Sequence, residues 1–157
     1  MQENNGDFMK YYSVENYGAL ADGVTNDAKA IQSAIDDAEK NGGGTVVLES
    51  GKTYYSSSIV MKRNVELHLQ KGSRLKATSN IDEYFRPCNF INDKTNTLIG
   101  NPVTGKPSFC FIYGFEADGC SITGEGIIDA NGHAFVERKD KYYVTGNFYP
   151  RPTVIYI

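Results

Sequence analysis

GALADGVTNDAKAIQSAIDDAEKNGGGTVVLESGKTYYSSSIVMKRNVELHLQKGSRLKA, residues 18–77, reads as one amphipathic helix, a glycine exit and short apolar strands in series. Ile31, Ala34, Ile35 and Ala38 recur at i, i+3, i+4 and i+7, which is one helix face, while Lys29, Gln32, Asp36, Glu39 and Lys40 take the others. Thr25 or Asn26 is placed to accept from the first free backbone N–H groups, and Asp27 to complement the positive end of the helix dipole. Asn41 and Gly42-Gly43-Gly44 tolerate positive φ and end the run. The spacing predicts a helix over 26–40 whose apolar stripe covers the open end of whatever begins at Thr45.

Thr45-Val46-Val47-Leu48, Ser58-Ile59-Val60-Met61 and Val65-Glu66-Leu67-His68-Leu69 are short, apolar or alternating, and read as strands. Gly51-Lys52-Thr53 and Lys62-Arg63-Asn64 between them are turns too short to hold a crossover helix. Parallel strands joined in this way build a solenoid. The expected fold is therefore an all-β solenoid: a single-stranded parallel β-helix, right-handed as parallel connections nearly always are, with an N-terminal capping α-helix. Ile31 and Ile35 should face core residues at the level of Val47, and residues 1–157 should form one domain. Val65-Glu66-Leu67 and the following Gly72-Ser73-Arg74-Leu75-Lys76 match Cys120-Ser121-Ile122 and Gly126-Ile127-Ile128-Asp129, with Cys120 standing 55 residues after Val65. That offset suits two coils, or two coils and an insertion, with Leu67 and Ile122 stacked inside and their polar neighbours outside.

The charge balance, 16 Lys+Arg against 19 Asp+Glu, supports neither nucleic-acid binding nor a polybasic membrane anchor. No run approaches the ~20 apolar residues of a membrane helix, and the opening MQENNGDFMKYY has no apolar signal-peptide segment. The compartment stays open, since removal of an export signal would leave the same sequence. Cys88, Cys110 and Cys120 form no CxxC pair and lie beside no histidine at metal-ligand spacing, so they read as buried free thiols, with no cofactor or metal implied.

Six stretches together resemble the N-terminal portion of glycoside hydrolase family 28, the polygalacturonase and rhamnogalacturonase group. They are Tyr17-Gly18-Ala19 with Asp22-Gly23-Val24-Thr25, Ala30-Ile31-Gln32-Ser33-Ala34-Ile35, Gly42-Gly43-Gly44-Thr45-Val46-Val47, Val65-Glu66-Leu67-His68-Leu69, Ile122-Thr123-Gly124-Glu125-Gly126-Ile127-Ile128-Asp129 and Arg151-Pro152. The first two also head other pectin-lyase-like β-helices; the Leu-His-Leu strand and the Gly-Glu-Gly turn narrow the choice. Ala21 replaces a usual glycine, Asn26 a common aspartate and Glu49 a usual proline. The resemblance implies inverting hydrolysis of galacturonan-type linkages. It also implies that the catalytic aspartates and a Gly-His-Gly segment belong to later coils, beyond the Arg-Pro landmark. No catalytic residue is therefore assigned here, and the fragment is expected to be inactive alone.

Asp36-Asp37 lie on a surface helix, where consecutive positions diverge by about 100°, and Asp22-Gly23 and Asp118-Gly119 read as turns. Gly124-Glu125-Gly126 is a turn, His133 a loop residue and His68 an outward strand residue. Residues 131–152 differ in being long for a β-helix loop and rich in cations and rings. Arg138, Lys139, Lys141, Tyr142, Tyr143 and Arg151 are the candidate substrate-binding residues, cations pairing with uronate carboxylates and rings covering pyranose C–H faces. The expected partner is a pectic polysaccharide or oligogalacturonide, with self-association through the open coil around Val154, Ile155 and Ile157. The alternatives are a non-catalytic carbohydrate-binding or adhesion β-helix, and a lyase or epimerase sharing the capped opening.

Overall fold

The computed structural model describes residues 10–86, 109–135 and 152–157, together with the backbone of short strands at 91–92, 97–98, 138–139 and 142–143. The first coil runs through β1 (Tyr11–Ser13), a 3-10 turn at Val14–Tyr17, β2 (Asp22–Asn26) and α1 (Ala28–Lys40). The second holds β3 (Gly44–Leu48), β4 (Thr53–Ser56) and β5 (Ile59–Met61). The third runs from β6 (Val65–Leu69) and β7 (Arg74–Ala77), past the two-residue strands β8 (Ile91–Asn92) and β9 (Thr97–Leu98), to β10 (Cys110–Gly114). The fourth has β11 (Ser121–Gly124) and β12 (Ile127–Asp129), the short β13 (Arg138–Lys139) and β14 (Tyr142–Tyr143), and β15 (Thr153–Tyr156).

Three parallel sheets result, ordered β1-β3-β6-β11, β2-β4-β7-β12 and β5-β10-β15. This is a parallel β-helix, each coil visiting the first, second and third sheet in turn. Successive coils keep register: Tyr12, Val46, Leu67 and Ile122 stand in one row of the first sheet. Tyr54, Leu75 and Ile128 stand in one row of the second. Val46, Leu67, Tyr54 and Leu75 are fully buried, so these rows are the core.

The expected Leu67–Ile122 ladder is present, with one correction. β6 pairs directly with β11, so the 55-residue offset is one coil plus its insertion rather than two coils. Ile31 and Ile35, expected to face core residues at the level of Val47, are fully buried and share one core cluster with its neighbours Val46 and Leu48, while Val47 itself lies outside that cluster. Alternation along a strand sends consecutive side chains to opposite faces.

α1 takes the place in the chain that a third-sheet strand occupies in later coils. Ala30, Ile31, Ala34, Ile35 and Ala38 are its buried stripe, and Gln32 supplies the missing edge. Its Nε2 donates to the Val60 carbonyl at 3.0 Å and its Oε1 accepts from the Val60 N–H at 2.8 Å. The helix begins two residues later than expected because Asp22–Asn26 pair with β4 through a bulged register. Asp27 also departs from its expected role: it is buried, and its carboxylate accepts from the N–H groups of Leu20 and Ala21 at 2.8 and 3.1 Å. Asn26 does cap, its Oδ1 accepting from the Ala28 N–H at 3.1 Å.

At the corner between the first and second sheets, Glu15 joins Ser13, Glu49, Lys52 and Tyr54. Ser13 Oγ lies 2.6 Å from Glu15 and 2.7 Å from Glu49, its single proton shared between the two carboxylates; Lys52 bridges both at 2.9 and 2.7 Å, and the Tyr54 hydroxyl donates to Glu15. Glu49, the departure from the expected proline, is thus used in the structure. Burial pushes the Glu15 carboxyl up, but hydrogen bonds from Ser13, Tyr54 and Lys52 outweigh it and hold the group at about 2. Because the folded value lies below the ordinary 4.5, this stabilisation is full above that value and disappears as pH falls toward about 2. Urea titrations should show stability falling across that window, and Glu15→Gln should flatten the fall while costing about 1–3 kcal/mol at neutral pH. An unchanged acid limb in the variant would contradict this role for Glu15.

Candidate functional site

Most corners of the solenoid are tight: residues 49–52, 70–73 and 125–126 join the first sheet to the second, and 57–58 join β4 to β5. Two connections are long, 78–109 and 130–152, and both run from the second sheet to the third. Each opens with a 3-10 turn, Ile81–Glu83 or Gly132–Phe135, and each carries an antiparallel two-residue strand pair, β8 with β9 or β13 with β14. Long loops gathered at one corner of a rigid scaffold are where such a fold places its variable chemistry.

Aromatic packing ties the two insertions together. The Tyr84 ring meets Phe135 edge-on at 6.0 Å and lies 6.4 Å from Phe111, while its hydroxyl donates to the Thr78 carbonyl at 2.5 Å. Burial pushes the Tyr84 phenol up to about 12, so it stays a donor at any working pH. Ser58 sits at the join, its Oγ donating to the Cys110 carbonyl at 2.5 Å and accepting from the Phe85 N–H at 2.6 Å. Phe85, 43% exposed, lies 5.1 Å from the Tyr113 ring, which stacks on Tyr156 at 5.7 Å and 9°. Arg86 lies 4.8 Å over the Phe109 ring. Tyr113 itself is buried, so Phe85 and the half-buried Tyr156 are the rings of this run that can meet the apolar C–H faces of sugar rings.

Of the candidate residues, Arg138 and Lys139 fall on β13 and Tyr142 and Tyr143 on β14, paired as Arg138↔Tyr143 and Lys139↔Tyr142. Their backbones form a hairpin within the 130–152 insertion; their side chains, and Lys141 and Arg151, lie outside the described residues, as does Cys88. His133 is exposed on its one-turn helix, as a loop residue should be. His68 faces outward as expected, with Nδ1 2.7 Å from Thr123 Oγ1. Asp37 is structural, accepting from the Tyr17 hydroxyl at 2.6 Å, and Asp36 accepts from Gln32 at 2.9 Å. Cys110 is a buried free thiol pushed up to about 11 by burial, and Cys120 a half-buried one. Among the described residues no three His, Cys, Asp or Glu side chains converge as a metal would require.

Sequence reasoning missed Tyr84, Phe85, Tyr113 and Tyr156 as parts of this corner. The continuous apolar run Phe109-Cys110-Phe111-Ile112-Tyr113 carried the signal of a buried strand; Tyr84 carried no such pattern. If Tyr84 fastens both insertions, Tyr84→Ala should cost about 3–5 kcal/mol. Tyr84→Phe, which loses only the bond to Thr78, should cost about 1 kcal/mol. Urea unfolding of the two variants measures this, and equal, small losses in both would contradict it.

The model of the family described as rhamnogalacturonase A/epimerase, pectate lyase-like, matches residues 11–149, and the chain belongs to that family. Among curated proteins it is 32% identical over 131 residues to plasmin and fibronectin-binding protein A of Streptococcus pneumoniae, covering 76% of this chain and 15% of that protein. It is 30% identical over 104 residues to the capsule KN3-specific depolymerase 1 of Klebsiella phage KN3-1, covering 66% of this chain and 13% of that one. Among solved structures, the family 28 exopolygalacturonase of Yersinia enterocolitica superposes with a TM-score of 0.64 at 26% identity, covering 85% of this chain and 22% of that one. The chain thus spans only a small part of these relatives. The similar proteins include carbohydrate-active enzymes and one named for binding plasmin and fibronectin.

Proposed function

We propose that this chain forms the capped coils of a pectin-directed glycoside hydrolase of the polygalacturonase type, and that its own task is to hold an acidic polysaccharide. The observation that carries the reading is the convergence of both long insertions and the Tyr113–Tyr156 stack on one corner. One of those insertions contributes Arg138, Lys139, Lys141, Tyr142, Tyr143 and Arg151. Guanidinium and ammonium groups recognise uronate carboxylates, and the rings cover the sugar faces. The likeness to the Yersinia exopolygalacturonase supports this choice of polymer.

Inverting hydrolysis needs a protonated acid and an ionised base about 6.5–9.5 Å apart across the glycosidic bond. The carboxylates described around the corner are otherwise occupied. Asp129 is held ionised, first by the Asn131 N–H at 2.9 Å and then by Arg74 at 2.9 Å. Asp82 pairs with Arg86 at 3.1 Å, and Glu83 accepts from Asn26 at 3.0 Å. None of these described carboxylates is free to act as the acid, and the family resemblance puts the catalytic aspartates in later coils; on that ground the chain is assigned binding and not bond cleavage.

Calorimetric titration with oligogalacturonide should give an affinity that weakens as salt screens the cations. Arg138→Ala, Lys139→Ala and Lys141→Ala together should reduce it by about tenfold or more, while a reducing-sugar assay shows no release. Salt-independent binding, no binding, or turnover that survives repurification would each overturn the assignment. The pneumococcal likeness favours a second reading, a non-catalytic adhesion β-helix. Oligogalacturonide binding that is absent while a host glycoprotein binds would select it.

A further inference from the structure

An open groove of about 470 Å³ lies on the outer face of the first sheet, with Tyr11 and Gln70 among its lining residues, along with Ser13, Asn16, Glu49 and Ser50 and an apolar patch from Val47. That volume lies within the range that holds small ligands.

Its lining has the make-up of a sugar site. The Tyr11 ring is 68% exposed and offers an apolar platform. Around it stand amides and hydroxyls already set in place. Gln70 Oε1 accepts from the Ser50 N–H at 2.9 Å, and its NH₂ group has no partner among the described residues. Asn16 adds a second amide to the lining. Glu49 is clamped from behind by Ser13 and Lys52, both at 2.7 Å, and its carboxylate oxygens keep spare lone pairs for hydroxyl donors. Groups already fixed in this way lose little freedom on binding.

The charge around the groove decides what it takes. Lys52 is shared between Glu15 and Glu49, so two carboxylates face one ammonium. A third carboxylate from a uronate would meet net negative charge, whereas the hydroxyls of a neutral ring would donate to it. We infer that this groove binds a neutral, hydroxyl-rich sugar residue and rejects a uronate. The inference is independent of the pectin reading above, which places acidic residues at the other corner.

Galactobiose and digalacturonate differ in hydroxymethyl against carboxylate on the same ring, and amide-resolved NMR titration of the chain distinguishes their sites. Galactobiose should shift the Tyr11, Ser13, Val47 and Gln70 amides, and digalacturonate should leave them in place. Tyr11→Ala and Gln70→Ala should each weaken galactobiose binding by about fivefold or more, with the fold retained and the Gln70→Ala melting temperature lowered only by loss of the Ser50 bond. Glu49→Gln should admit digalacturonate. No shift at those amides with galactobiose, equal shifts with both sugars, or undiminished affinity in both alanine variants would overturn the inference. Failure of digalacturonate to bind anywhere bears on the pectin reading alone.

Discussion

The Gln32 amide seated on both backbone groups of Val60 lets this solenoid begin. A parallel stack leaves an unpaired N–H and C=O row on its first strand, and a buried, unsatisfied backbone group costs about 1–3 kcal/mol. One side-chain amide, donor and acceptor together, imitates a strand at that edge. With α1 in place, the third sheet starts one coil after the other two, and the apolar stripe of the helix closes the end of the core.

From that closed end the coils accumulate by register. Their spacing leaves little freedom at the corners: a Cβ at Gly124, where φ is +98°, would stand 2.0 Å from the Leu69 carbonyl oxygen, so the turn between β11 and β12 admits glycine there. Tight corners on the other edges confine long insertions to the join between the second and third sheets. Toward β15 the cover thins, with Val154, Ile155 and Ile157 exposed.

Regular periodicity made much of this legible. The helix stripe and the Val65–Leu69 alternation follow directly from side-chain spacing, and burial enforces both. β4 was harder, because Thr53-Tyr54-Tyr55-Ser56 lacks an apolar alternation; Tyr54 is buried only because Glu15 and the Glu49 N–H satisfy its hydroxyl. The 55-residue offset misled because sequence distance does not separate a coil from an insertion. The Gln32 cap was invisible, being one polar residue on the flank of an amphipathic helix. The first-sheet groove was equally hidden, since Tyr11, Glu49 and Gln70 meet only after three coils have stacked. A loop over 131–152 rich in cations and rings was read from composition; that it holds a short strand pair, β13 with β14, was not.

The solenoid keeps most of its corners short and inserts its long connections where the second sheet passes to the third, beside the Tyr113–Tyr156 stack. A crystal structure of this chain soaked with trigalacturonate tests the sugar-binding role proposed for that join most directly. The account places sugar rings beside the Tyr113–Tyr156 stack, with carboxylates turned toward the hairpin that bears Arg138 and Lys139. Density for the sugar in the Tyr11–Gln70 groove, or on the outer face of the second sheet, would contradict it.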